Sequence, residues 1–406
     1  MSAQTRTVAV WAAPEDRSIA AQPFAACVGF YYSVRLILPL LAVRLFRQDP
    51  QDGVMANLAL NYVFLAVAFF ATMGATRPFR SMLDLPCVRW VLYFLAFSGV
   101  SLLWSVTASF SAATAFWCAM AADTTIVLLL FRDGPVTEIS ESLMRGYIWG
   151  SCAIALVAWV LPTQSDLRLG DEELLGPNQI GWTCAFAFFL AQYLVRNRKG
   201  SGIAQAAFLA VTMLRSLSKT SIVAFVAAEG YMLLCDRGIR RRTKLLVASS
   251  ACLVLIVFSG LLAKYYVIYS NAGNQSETLT GRLGIWLFIA TEALQKPWIG
   301  HGFHSVWKVI PPFGEFEARH AHNELLQQFY AYGLTGIALL AAVYGSVWRQ
   351  VRRMADGPMR VFFLGMLLLV VVRGLADTEP FDLSLPLWFI VIIGALVEHS
   401  RNTAVV

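Results

Sequence analysis

The sequence predicts an all-α fold: a polytopic helical membrane protein of about twelve transmembrane helices, with a long outside segment containing short helices between spans nine and ten. Three observations lead there. Of 406 residues, 58% are apolar and only 14% charged, with a mean hydropathy of +0.61, far from the composition of soluble domains. Apolar windows of about 20 residues, the length that crosses a hydrocarbon core, recur along the chain. One connection, residues 264–324, is much longer than most of the others.

The windows fall near residues 20–44, 54–75, 89–106, 110–131, 145–162, 178–195, 202–217, 219–235, 245–263, 325–348, 361–376 and 382–398. Residues 1–19 carry Arg6, Glu15, Asp16 and Arg17 but no short apolar core before a small-residue cleavage site, so no removable signal peptide is expected. Basic residues are retained on the cytoplasmic side of short loops. With both termini inside, 20 of the 32 Lys and Arg residues fall on inner segments, 11 on outer ones, and Arg35 within the first span. This bias and anionic head groups account for the net charge of +7, so membrane lipids are expected partners and nucleic acid is not. The seven cysteines are scattered through or beside apolar spans without a C-x-x-C pair and read as buried thiols. No short repeat or second domain interrupts residues 1–406, which read as a single integral membrane domain.

Within the long segment, Leu283, Trp286, Leu287, Ala290 and Leu294 recur at helical spacing, with Thr280 as N-cap and Pro297 as terminator. The spacing predicts a helix lying at the outer surface, with a second short one nearby. Loops of this length are usually functional. Four of the five histidines, His301, His304, His320 and His322, lie in it or at its end. H-x-x-H with H-x-H is tolerable zinc spacing. No H-E-x-x-H helix accompanies it, and Glu315, Glu317 and Glu324 stand at no recognised ligand spacing. Hydrogen-bonded interfacial histidines are the better expectation for His301, His304 and His320, and no metal is assigned.

His322 is set apart by the residues after it. A helix starting near Asn323 places Gly333 and Gly336, 11 and 14 residues on, on roughly the face below His322, where small residues allow close helix contact. With this His-Asn, nine residues, Gly-x-x-Gly pattern, the sequence resembles the O-antigen ligase family, within the wider group of O-antigen ligases, O-antigen polymerases and related bacterial oligosaccharyltransferases. "TGRLGIWLFIATEALQKPWIGHGF" is similar to the family's Arg, Trp, Pro-x-x-Gly-x-Gly run, carried by Arg282, Trp286, Pro297, Gly300 and Gly302. "LGPNQIGW" resembles its Pro-Asn element at the start of a span, and "LRSLSKTSIVAF" its Ser-Arg turn. In that turn Lys219 stands where arginine is usual and Arg215 lies one helical turn earlier, so either cation inherits the role. The resemblance covers about the C-terminal two-thirds of the chain; the first five spans resemble the family only in hydropathy.

Cations at the edge of a membrane need partners, and Arg215, Lys219, Arg282 and Arg373 stand together on the outer side in this reading. A diphosphate suits them, because guanidinium groups grip phosphate oxygens with paired hydrogen bonds. The resemblance implies a metal-independent, inverting transfer of O-antigen glycan from undecaprenyl diphosphate to a sugar hydroxyl of lipid A core oligosaccharide, at the periplasmic face of the bacterial inner membrane. Residues 264–324 would be the periplasmic loop carrying part of the active site. Arg215, Lys219 and Arg282 would bind the diphosphate, Arg282 would also stabilise its charge as the C–O bond breaks, and His322 would accept the hydroxyl proton. Asn323 and Asn178 are candidates to orient the histidine or a sugar, with helix N-capping as the equal alternative. Glu315, Glu317, Asp377, Glu379 and Asp382 are outer carboxylates without assigned roles. An O-antigen polymerase would use a glycan acceptor on a second carrier lipid. A protein O-oligosaccharyltransferase would transfer to Ser or Thr, and a transporter would place its charges near the bilayer midplane.

Overall fold

The computed structural model describes the chain apart from residues 1–20, 198–201, 308–319 and 404–406, most of 258–278, and positions 76, 78, 165, 166 and 172. The regular structure of the described residues is helical, and a helix occupies each of the twelve apolar windows. In chain order they are α1 (Ala21–Val34), continued by α2 (Leu38–Arg44), then α3 (Pro50–Ala71), α4 (Pro86–Val100), α5 (Phe110–Asp133), α6 (Val136–Val160), α7 (Pro177–Arg196), α8 (Ile203–Ser216), α9 (Lys219–Cys235) and α10 (Arg241–Val257). The long segment contains α11 (Leu279–Ala293), and α12 (Glu324–Arg352), α13 (Pro358–Gly374) and α14 (Leu387–Thr403) complete the bundle. Among the described residues, six helical stretches are long and apolar enough to cross a membrane: Gln22–Arg44, Pro50–Ala71, Pro86–Trp104, Phe110–Asp133, Val136–Val160 and Glu324–Arg352. The protein is therefore a helical membrane protein; the other bundle helices are shorter, or in α7 less apolar.

Local chemistry sets several helix starts. Asp49 and Asp52 form a capping box ahead of α3, with Pro50 at its first position, and the Ser109 and Asn323 side chains accept backbone N–H bonds at the starts of α5 and α12. Such caps satisfy donors that a helix cannot satisfy itself. Helices α1 and α6 lie in close contact because Gly29 and Gly146 have no Cβ; one built at either would run into the opposing backbone at Leu143 or Ala26. Close approach of this kind is the usual glue of membrane helices. The last helix is the centre of the core: Trp388 packs on Tyr32 and Tyr147, and Phe389 packs edge-on against Phe186.

One ionic cluster lies within the first helices. Arg35 binds Asp123 at 2.5 Å and lies over the Tyr32 ring, while Asn61 donates to the other oxygen of Asp123 at 2.9 Å. It ties the end of α1 to α3 and α5. A charge in a membrane helix is tolerable when paired in this way.

Two expectations change, the Thr280 N-cap of α11 and the continuity of α12. Helix α11 buries Arg282, Ile285, Ile289 and Ala293, whereas Leu283, Leu287 and Leu294 of the expected stripe are 53, 72 and 67% exposed. Both faces are apolar, so periodicity alone could not choose the inward one. Thr280 lies inside the helix rather than at its N-cap. Helix α12, expected to be continuous, is broken at Gly333, which adopts φ 62°, ψ −155°, so Gly333, Gly336 and His322 do not share one face. The break frees backbone groups, and the Pro-x-x-Gly-x-Gly run takes them up. Leu334 and Thr335 donate to Pro297 and Trp298 carbonyls, and His301 and Gly302 donate to Tyr330 and Ala331 carbonyls, at 2.7 to 3.2 Å. The two glycine motifs are thus one interlocked element.

Gly333→Ala should disrupt it, since its positive φ disfavours a side chain and the new Cβ would meet Pro297 O and Trp298 C at 2.6 and 2.5 Å. The strain alone is about 1–3 kcal/mol. Gly345→Ala in the same helix meets nothing within 4 Å and should be neutral or stabilising. Unfolding temperatures in detergent should fall for the first and hold or rise for the second.

Candidate functional site

The site forms where the start of α12 meets the 375–386 connection between α13 and α14. His322 precedes the N-cap Asn323 and has φ 50°, a left-handed conformation uncommon for residues other than glycine. Its surroundings hold it there. The Ala321 N–H donates to Gln327 Oε1 at 2.8 Å, Trp286 Nε1 of α11 donates to the Ala321 carbonyl at 3.0 Å, and the His322 N–H donates to His320 Nδ1 at 3.2 Å. Every polar group of that peptide is engaged.

Facing it, the buried Asp377 places Oδ1 3.3 Å from His322 Nδ1 and accepts the Thr378 N–H at 3.1 Å. Its Oδ2 lies 3.7 Å from Arg373 Nη2, which also binds Glu379 at 2.9 Å. Burial alone would raise the Asp377 pKa, but Arg373, the His322 hydrogen bond and His320 outweigh it and hold the carboxyl well below the usual range. An ionised Asp377 can only accept hydrogen bonds. Neutral His322 must then carry its proton on Nδ1, which makes Nε2 the basic nitrogen of the ring. Burial, with His322 beside it, holds His320 well below the ordinary imidazole value, and Arg373 and Arg282 lower it further.

Two guanidinium groups flank this pair. Arg282, on the inward face of α11, donates from Nη1 to the Ala376 carbonyl. Arg373, 3% exposed, lies 4.3 Å from the centroid of Trp182, a cation–π contact. Among the described residues, Arg282 Nε and Arg373 Nε and Nη1 are buried without a hydrogen-bond acceptor. Buried donors of this kind are costly unless something accepts from them.

The first turn of α12 also fixes the opposing connection. Asn323 Nδ2 donates to the Leu375 carbonyl at 2.8 Å, Gln327 Nε2 to the Pro380 carbonyl at 3.1 Å, and Glu324 Oε1 accepts from the Ser384 N–H and the Tyr344 hydroxyl at 2.7 and 2.8 Å. Asp382 caps the path into α14, accepting from the Leu383 and Leu387 N–H groups. Burial pushes its carboxyl up to about 7.

The other expected residues take different places. Asn323 is the N-cap of α12 and a tether to the Leu375 carbonyl. Asn178, in the first turn of α7, accepts from the Ser218 hydroxyl at 2.9 Å and so joins α7 to the turn between α8 and α9. Arg215, at the end of α8, donates to the Leu167 carbonyl, and Lys219 begins α9. Gly181, the residue before Trp182 in α7, packs on Ser216 and Ser218 of this turn. The four histidines do not converge. His301 stacks on Tyr330, and His304 stacks between Phe116 and Phe381 with Nδ1 2.8 Å from the Thr107 hydroxyl. His320, His322 and Asp377 do bring ligand atoms within 4.8 Å of one another, enough for a divalent cation in donor count. Two guanidinium groups beside them make the same place better suited to an anion. Glu315 and Glu317 lie outside the described residues. Asp377 is the partner that sequence reasoning left without a role; its signal was an acidic residue one helical turn after Arg373.

A polytopic helical membrane protein with an ionised carboxylate, an imidazole and two buried guanidinium groups at one mouth is equipped for proton transfer beside an anion. Residues 204–341, about a third of the chain, match the family model described as O-antigen ligase. The family resemblance read from the His-Asn and glycine motifs is shown over this segment, which holds Arg215, Lys219, Arg282 and His322 and ends before Arg373 and Asp377. No curated protein matches the chain.

His304→Phe should keep the aromatic stack while removing a buried Nε2 that has no partner. The Nδ1 bond to the Thr107 hydroxyl is lost as well, but that hydroxyl keeps the Ser109 carbonyl as an acceptor, so the two effects offset and the unfolding temperature should change little; a large fall would show that the Thr107 bond outweighs the buried nitrogen.

Proposed function

We propose that this protein is an O-antigen ligase, transferring O-antigen glycan from undecaprenyl diphosphate to a sugar hydroxyl of lipid A core oligosaccharide. The observation that carries the reading is the His322–Asp377 pair beside the unaccepted N–H donors of Arg282 and Arg373, in a chain with an O-antigen ligase match. In this reading twelve spans cross the bacterial inner membrane, both termini are cytoplasmic, and residues 264–324 with the 375–386 connection face the periplasm.

The donor's diphosphate lies against Arg282 and Arg373, with Arg215 or Lys219 at the adjoining turn. Fixed guanidinium groups stabilise charge as it develops on the leaving phosphate, with no reorganisation at the moment of reaction. His322 Nε2 takes the proton of the acceptor hydroxyl, and Asp377 orients the ring and stabilises the imidazolium that forms. The hydroxyl oxygen bonds to the anomeric carbon while that carbon's bond to phosphate oxygen breaks, and the electron pair leaves with undecaprenyl diphosphate. A single displacement inverts the anomeric centre. The imidazolium then releases its proton to solvent.

Reconstitution with purified undecaprenyl-diphosphate glycan and lipid A core tests the substrates. Ligation should proceed with metal chelator present. Glycan elongation on a second carrier lipid would identify a polymerase, and activity lost in chelator and restored by zinc would return His320, His322 and Asp377 to a metal role. Arg282→Ala should slow transfer by at least about tenfold to a hundredfold while the protein stays folded, because a charge-assisted grip worth about 1.5–3 kcal/mol or more is removed. Wild-type turnover in that variant would overturn its assignment.

A further inference from the structure

We propose that Gln327 is a positioning residue, whose single side-chain amide holds the base His322 and its carboxylate Asp377 in register. This rests on the reading that His322 and Asp377 act on an acceptor hydroxyl.

The two groups are 55 residues apart in sequence and sit on elements that nothing covalent aligns. His322 lies just ahead of α12, and Asp377 lies just beyond α13. Gln327, 6% exposed, reaches both. Its Oε1 accepts from the N–H of Ala321, the residue before His322, at 2.8 Å. Its Nε2 donates to the carbonyl of Pro380, three residues beyond Asp377, at 3.1 Å. The other tethers from this turn hold the connection nearer its ends, Asn323 at Leu375 and Glu324 at Ser384. Neither bonds the backbone on the His322 side. An amide is the group this position requires, since one end must accept and the other donate. A carboxylate keeps only the acceptor, and a thioether is at best a weak one. The left-handed backbone of His322 makes the attachment at Ala321 more than incidental, because a peptide in a sparsely populated conformation persists only when its surroundings over-determine it.

The test uses the full chain in nanodiscs, with Gln327→Met and Gln327→Glu alone and each combined with Asp377→Asn. Single-turnover rates are measured at saturating donor and acceptor, beside donor binding. Gln327→Met should slow the chemical step about tenfold to a hundredfold, the scale of a small misplacement of reacting groups, while donor affinity is preserved. Gln327→Glu should fall between it and wild type. If Gln327 acts through the pair, Gln327→Met should cost less than about threefold in the Asp377→Asn background. A wild-type rate in Gln327→Met, or a loss that multiplies in full with that of Asp377→Asn, overturns the proposal.

Hydrogen exchange supplies an arm that needs no turnover. In Gln327→Met, peptides covering 320–322 and 378–381 should lose protection together while α4 keeps its own; unchanged protection at either segment also overturns it. A wild-type protein that transfers no glycan, with both segments still released by Gln327→Met, would sink the ligase reading and leave the register device standing.

Discussion

The arrangement at the mouth of the bundle depends on keeping Asp377 both buried and ionised. A carboxylate removed from water is unfavourable unless cations and hydrogen bonds replace its hydration. Arg373, the Thr378 N–H and the His322 ring do so here. That requirement brings the end of α13 against the start of α12. It also decides which histidine nitrogen carries the proton and which is the base. Arg373, the cation that makes an ionised Asp377 tolerable, also has donors left over for the proposed diphosphate, so one group serves the resting structure and the proposed chemistry together.

The scaffold under this pair is a broken helix. In a membrane, backbone groups freed by a break must be satisfied within the protein. The Pro297 to Gly302 run does this at Gly333, and it continues directly from α11, the helix that bears Arg282 and Trp286. Trp286 then reaches the Ala321 carbonyl and Arg282 the Ala376 carbonyl. Helix α11 is thereby fixed against both halves of the site, and its outward face keeps Leu283, Leu287 and Leu294 exposed, as suits a helix lying against lipid.

Much of this was legible in the sequence, for reasons that differ by element. The bundle helices announced themselves because an apolar window near bilayer length has few other uses. Asn323 was readable as a cap and His322 as a candidate site residue because polar chemistry stood at an apolar helix start, and Arg282 as a candidate from the run that resembles the family. The pairing of His322 with Asp377 was not legible, since it spans two helices and 55 residues and no local pattern records it. Gly333 was read as a packing residue because a three-residue glycine spacing fits a close contact and a backbone break equally well. Which face of α11 packs inward was not legible, because both faces are apolar. The Arg35–Asp123 pair escaped notice because each residue looks like a stray charge until α1 and α5 are laid side by side.

The central claim is that His322 acts on the acceptor hydroxyl rather than on the donor. The most direct measurement is the single-turnover rate of His322→Ala with saturating donor and acceptor, taken beside donor binding in the same nanodisc preparation. The account predicts a rate lower by roughly a hundredfold to ten-thousandfold, the usual range for a positioned general base, with donor affinity little changed. A near-normal saturated rate with weakened donor binding would contradict it and make His322 a binding residue.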